Sequence, residues 1–142
     1  KGGERVLDIG TGSGILAIAA LKLGAAKAEG VDIDPMCVRT AGENAALNGV
    51  QNDLTVLVGD LSEKATGVYD VVCANIVANA IIHLVPDVPA LLAKHGTFLA
   101  SGIIDTRKDE VIAAVQAAGL ALREVKEKNG WVALVCGHTG RE

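Results

Sequence analysis

Short apolar runs alternate with helical runs from Arg5 to Ala118, and this alternation narrows the fold more than any other feature of the chain. Arg5–Ile9 (RVLDI) reads as a buried strand that ends at Gly10. Ser13–Leu23 (SGILAIAALKL) is apolar nearly all round, the pattern of a helix buried in a larger fold, and Gly24 stops it. Ala28–Ile33 contains a second strand. Asp34-Pro35 opens a second helix, with Asp as its cap and Pro at its first position. Val38, Ala41 and Ala45 share one face of that helix, and Asn48-Gly49 closes it.

Leu54–Val58 is a third strand. Val68–Ala74 is a fourth, apolar enough for a central parallel position. Ala78–Leu92 reads as helical, although Pro86 and Pro89 must bend or split it. Thr97–Ile103 is a fifth strand, and Asp109–Ala118 is an amphipathic helix with Val111, Ile112 and Val115 on one face. The pattern then changes: Leu120–Val125 and Trp131–Cys136 flank Asn129-Gly130, a strong hairpin signal. Repeated strand–helix units imply an α/β fold with a mainly parallel sheet, helices on both faces and an antiparallel terminal hairpin. Ligands of such folds meet the carboxyl ends of the strands, which directs attention to Gly10–Gly14, Asp32–Asp34, Asp60 and Asn75.

Three of those positions could read a nucleoside. Gly10, Gly12 and Gly14, with Thr11 and Ser13 between them, remove side chains at a strand–helix turn where a ligand could touch backbone. A dinucleotide fingerprint needs its third glycine at position 15, where Ile15 stands, and no Lys-Ser/Thr follows as in a Walker loop. Asp32 lies roughly 20 residues beyond Gly10, the spacing at which an acid can accept hydrogen bonds from ribose hydroxyls. Asp60 could accept from an adenine amino group with Leu61 against the ring, and Asn75 could accept from a substrate amine and orient its lone pair. Each has a plain structural alternative: a tight turn, a strand-end acid, a loop acid, a turn or cap residue. Asp34 is explained by capping alone.

Other chemistries find little support. His83, His95 and His138 have no metal-ligand spacing, so no metal site is expected, and no Ser/His/Asp arrangement emerges. Thirteen Lys+Arg against 17 Asp+Glu give a net charge of −4, which speaks against a nucleic-acid face and suits a basic substrate. Tyr69, Phe98 and Trp131 are the only aromatics, too few for a base-stacking platform. No apolar run reaches the roughly 18 residues of a membrane helix, and no signal peptide is visible. Cys37, Cys73 and Cys136 form no C-x-x-C pair and read as reduced thiols of a cytoplasmic protein. A nucleotide-like site without acid–base machinery suits transfer of a group that is already activated.

The run VLDIGTGSGILAIAALKLGA, then GVDIDP, CANIVA and SGI at Ser101–Ile103, resembles the class I S-adenosylmethionine-dependent methyltransferases, and within them the PrmA-type enzymes of a large-subunit ribosomal protein. The resemblance spans Val6 to Ala133 and implies a Rossmann-like three-layer sandwich with a seven-stranded, mostly parallel sheet. It implies a cofactor site of Asp8, Gly10, Thr11, Gly12, Ser13, Gly14, Asp32, Ile33, Asp60, Leu61 and Asn75, with Asp8 supporting the loop and Asn75 beside methyl group and amine. It further implies S-adenosyl-L-methionine as cofactor and lysine and amino-terminal amines as acceptors. Family members carry an N-terminal recognition domain and a Thr-containing segment before the first strand; residues 1–142 are expected to be the cofactor-binding domain alone, with cofactor binding weakened and substrate capture lost. Two alternatives stay open: a class I methyltransferase for another protein lysine or small-molecule amine, and a cofactor-binding module without turnover.

Overall fold

A computed structural model describes residues 2–63 and 65–139. Seven strands form one sheet: β1 Arg5–Ile9, β2 Lys27–Asp32, β3 Leu54–Val58, β4 Tyr69–Asn75, β5 Leu92–Ile104, β6 Leu120–Lys128 and β7 Trp131–His138. Their spatial order is β3-β2-β1-β4-β5-β7-β6. The first five neighbours pair in parallel, and β7 inserts antiparallel between β5 and β6. β4 therefore lies at the centre, as its apolar run implies. The chain steps outward from β1 through β2 to β3 and then returns to β4 on the other side of β1. That reversal opens a crevice between the carboxyl ends of β1 and β4.

Alternation of side chains divides the core between the two faces. Val6 faces helices α1 (Ile15–Lys22) and α2 (Pro35–Leu47), where Ala17, Ile18, Ala28, Ala45 and Leu54 pack with it. Leu7 and Ile9 face the larger cluster with Tyr69 and Phe98 and helices α3 (Ala78–Leu84), α4 (Val88–Leu91) and α5 (Lys108–Ala117). Full burial of a side chain such as Phe98 stabilises the fold by about 2–3 kcal/mol.

Local chemistry accounts for the element ends. The Asp34 carboxylate accepts the Met36 amide, and Pro35 sits at the first position of α2. At the β6–β7 turn, Asn129 and Gly130 have φ of 53° and 84°, the two left-handed residues that a tight hairpin requires. The helical stretch over 78–92 is split at its prolines as expected, into α3, a 3-10 turn at Val85–Asp87 and α4, because Pro86 and Pro89 each remove an amide; it ends one residue early, since β5 begins at Leu92. One expectation needs correction: helix α1 is not buried all round, since only Ala17 and Ile18 are, while Ile15 and Leu16 stand 68% and 45% exposed. Among the described residues no helix is long and apolar enough to cross a membrane.

Candidate functional site

The strand ends on one side of the switch point enclose a cavity of about 410 Å³, within the roughly 300–1,000 Å³ usual for small-ligand sites. Gly10 comes from just beyond β1, Asp32 from the end of β2 and Ile33 from beyond it, Gly59, Asp60 and Leu61 from beyond β3, and Ile76 and Val77 from beyond β4. Five residues singled out from the sequence thus meet in one place: Gly10, Asp32, Ile33, Asp60 and Leu61.

The glycine loop is shaped by what its residues lack. Gly10, Gly12 and Gly14 have φ of 72°, 57° and 86°, the left-handed region that side chains rarely adopt. A Cβ at Gly10 would come within 2.5 Å of Ile76 Cγ2, so any side chain there would close the crevice between β1 and β4. A Cβ at Gly14 would lie 3.0 Å from Ala41 Cβ, which ties the loop to α2.

Most loop amides are used inside the chain. Gly10 and Thr11 donate to the Val31 carbonyl at 2.7 and 2.9 Å, Gly14 to the Thr11 carbonyl at 2.8 Å, and Gly12 to Asp32 Oδ2 at 2.9 Å. The loop therefore presents bare backbone to the cavity rather than a fan of N–H groups. The cavity lining carries two carboxylates, Asp32 and Asp60, and no Lys or Arg. Such a site repels a diphosphate and favours a cationic or amine-bearing nucleoside.

Asp32 serves twice. Its Oδ2 accepts Gly12 and its Oδ1 accepts the Asp34 amide at 3.0 Å, which fixes the carboxylate at the cavity wall. One bond per oxygen leaves acceptor capacity on both for a vicinal diol. Asp60 is held by a reciprocal pair with Glu63, whose Oε1 accepts the Asp60 amide at 2.9 Å. Leu61 adopts φ 49°, a strained value for a branched residue, at the point where it joins the cavity lining.

Asp8, Thr11, Gly12, Ser13 and Gly14 lie outside the cavity lining, and the side chains of Asp8 and Thr11 are buried. Thr11 Oγ1 donates to Asp8 Oδ2 at 2.8 Å. Burial pushes the Asp8 carboxyl up to about 6, against the pull of the Thr11 hydroxyl and the Ala17 amide, with Asp32 adding a smaller upward push. Next to it, burial and then Asp8 raise the Cys73 thiol to about 12, which removes it as a nucleophile. Sequence reasoning missed two residues here. Asn44 Nδ2 donates to the Ser13 carbonyl at 2.8 Å, and Gly30 leaves room for Thr11, whose Oγ1 would lie 2.8 Å from a Cβ at that position. An amide on the same stripe of α2 as Ala41 was the available signal for Asn44; Gly30 gave none.

Asn75, at the exposed end of β4, lines neither this cavity nor a second one of about 260 Å³ beside it. Val77 belongs to both. The second is walled by Ile104 and Trp131, with Asn79 and Arg107 at its rim, where Arg107 Nη2 donates to Asn79 Oδ1 at 2.6 Å. Asn75 stands between a carboxylate-bearing cavity and a mainly apolar one.

Comparison with known proteins identifies the family. The profile of the family described as ribosomal protein L11 methyltransferase (PrmA) matches residues 1–139. A protein of Desulforamulus reducens named ribosomal protein L11 methyltransferase is 46% identical over 96% of this chain and 44% of its own length. One of the same name from Pelotomaculum thermopropionicum is 47% identical over 93% and 43%. The crystal structure of ribosomal protein L11 methylase from Lactobacillus delbrueckii subsp. bulgaricus superposes with a TM-score of 0.94 at 33% identity, covering 99% of this chain and 72% of that one. The chain spans less than half the length of the curated relatives it matches.

Proposed function

The chain belongs to the ribosomal protein L11 methyltransferase (PrmA) family, and on that premise we propose that it forms the S-adenosylmethionine-binding catalytic domain of a protein N-methyltransferase acting on lysine and amino-terminal amines of ribosomal protein L11. The fold is the Rossmann-like one of class I methyltransferases, with its antiparallel terminal strands. The observation that carries the reading is the charge of the main cavity: two carboxylates, no cationic side chain, and a glycine loop most of whose amides are engaged within the chain.

The residues present fit the cofactor. Asp32 would accept the ribose hydroxyls, Asp60 the adenine amino group, and Ile33 and Leu61, which line the same cavity, would flank the ring. Gly10 leaves the space that a Cβ would fill, so its bare backbone would be open to the cofactor. When bound, S-adenosylmethionine supplies a methyl group on a sulfonium centre that is already a good leaving group. The chain then has to hold an amine in line with that methyl and keep water away, which positioning alone can supply. Asn75 Oδ1 accepts an N–H of the incoming amine and turns its lone pair toward the methyl group. Ile104, Val77 and Trp131 cover the acceptor's alkyl chain in the second cavity, where low polarity favours the neutral, nucleophilic amine.

Labelled cofactor and unmethylated L11, incubated with this chain and with a longer form that carries the residues preceding it in its relatives, test the reading. Label transferred to L11 by the longer form, with Asn75→Ala slower by about 100-fold, is the expected result. A longer form that binds cofactor yet leaves L11 unlabelled contradicts it.

A further inference from the structure

The Ser101-Gly102-Ile103 segment recurs in the family resemblance, yet the cofactor and acceptor roles above do not use its glycine. β4 and β5 pair in parallel as far as Asn75 and Ser101, and the Ser101 carbonyl then accepts the Ile76 amide at 3.2 Å. At the next residue β5 leaves its regular register: pairing with β7 shifts between Ala100 and Ile103, and Gly102 takes φ 80°. The resulting bulge leans over the end of β4. A Cβ at Gly102 would lie 2.6 Å from Asn75 Oδ1, and 3.2 Å from the Ile76 carbonyl oxygen. The bare α-carbon of Gly102 is thus the surface on which the Asn75 carboxamide rests.

This contact matters because of what else Asn75 lacks. Its side chain stands at an exposed strand end, and among the described residues it has no hydrogen-bond partner within the chain. An exposed carboxamide without a partner samples several rotamers. Most buried side chains in a domain are fixed by many neighbours, but here one missing Cβ decides where the oxygen sits. Gly102 also lines the second cavity with Val77, Ile104 and Trp131, so the bulge brings Asn75 to the edge of the acceptor side.

We propose that Gly102 is a positioning residue for Asn75: its absent side chain is the seat that keeps the Asn75 carboxamide at the junction of the two cavities, ready for the acceptor amine. This rests on the methyltransferase reading of the site. A Cβ at 102 would displace the Asn75 carboxamide and also press on the Ile76 carbonyl oxygen at 3.2 Å in a residue with φ 80°, so it moves the one group that meets the amine at some cost to the fold.

Two binding probes separate these possibilities without turnover. S-adenosylhomocysteine fills the cofactor site and carries no amine where the methyl would be. Sinefungin carries a primary amine there. In calorimetry, Gly102→Ala is expected to weaken sinefungin about tenfold, the scale of one lost hydrogen bond, while S-adenosylhomocysteine stays within about twofold. In an Asn75→Ala background the same substitution is expected to change neither ligand, because the group it displaces is gone. An unchanged ratio of the two affinities in Gly102→Ala, or an equal loss with and without Asn75, overturns the inference. Should Gly102→Ala not fold, the wild-type chain still decides: N–Cγ and C′–Cγ couplings of Asn75 must report a single χ1 rotamer, and averaged couplings overturn the seat. A wild-type chain that binds neither ligand overturns the methyltransferase reading itself, and the inference falls with it.

Discussion

Asp8 and Glu29 lie on neighbouring strands of one sheet, β1 and β2, and the fold treats their carboxylates in opposite ways. Glu29 accepts the Tyr69 hydroxyl on Oε1 and pairs with Arg5 through Oε2 at 3.0 Å. Arg5 also donates to the Val68 and Thr66 carbonyls and stacks its guanidinium 4.2 Å from the centroid of the Tyr69 ring. Each of these three side chains has partners, and for Glu29 one of them is a full opposite charge. Asp8 is more deeply buried, yet its partners are a hydroxyl and an amide, both neutral, and its nearest charged neighbour is another acid. The amino-end cluster holds the sheet together. The carboxyl end accepts left-handed glycines, a strained Leu61 and an uncompensated acid in order to keep a cavity open. Rules of foldability are broken where the ligand is expected and obeyed elsewhere.

Substitutions at the two ends should therefore fail differently. Gly10→Ala places a Cβ against Ile76 in a residue that needs φ of 72°. S-adenosylhomocysteine affinity should fall by about 100-fold or more, roughly 2.7 kcal/mol, and unchanged affinity in calorimetry would mean that the crevice is not the cofactor site. Asp8→Asn should do the reverse to stability. The folded-state value of Asp8, about 6, lies above its ordinary 3.8, so the fold binds its proton more tightly than the unfolded chain does. That stabilisation is complete below about pH 4 and disappears as pH rises through about 6, at a cost of up to about 3 kcal/mol. Asp8→Asn should flatten urea-unfolding stability between pH 4 and 6 and gain about 2 kcal/mol at pH 8. A slope that survives the substitution would assign the titration to another group. Tyr69→Phe strips one hydroxyl from the amino-end cluster and leaves Glu29 and the Thr66 amide each short of a partner. Stability should drop by about 1.5 kcal/mol with S-adenosylhomocysteine affinity unchanged within about twofold, and a parallel loss of affinity would erase the contrast between the two ends.

Much of this was legible in the residues themselves. The strand–helix alternation, the Asp34-Pro35 cap and the Asn129-Gly130 turn depend on local chemistry, and each lies where the pattern put it. The strand-end positions of Gly10, Asp32 and Asp60 followed from the alternation. Long-range contacts were not legible. Nothing local in Gly30 says that Thr11 will fold back over it, and nothing in Gly102 says that a bulge will bring it to Asn75. Loop amides looked available to a ligand because their acceptors, Val31 and Asp32, belong to the adjacent strand. Helix α1 looked buried because composition reports how apolar a face is, not whether another layer covers it.

The central claim is that the cavity beside Gly10 takes an amine-bearing nucleoside, held by Asp32, and not a dinucleotide. Calorimetry of the wild-type chain and Asp32→Ala with S-adenosylhomocysteine, with NAD as the competitor, tests it most directly. Binding of S-adenosylhomocysteine that weakens by about 30-fold or more in Asp32→Ala, roughly two lost hydrogen bonds, with no measurable uptake of NAD, is the predicted result. Tighter binding of NAD than of S-adenosylhomocysteine, or an affinity indifferent to Asp32, would contradict it.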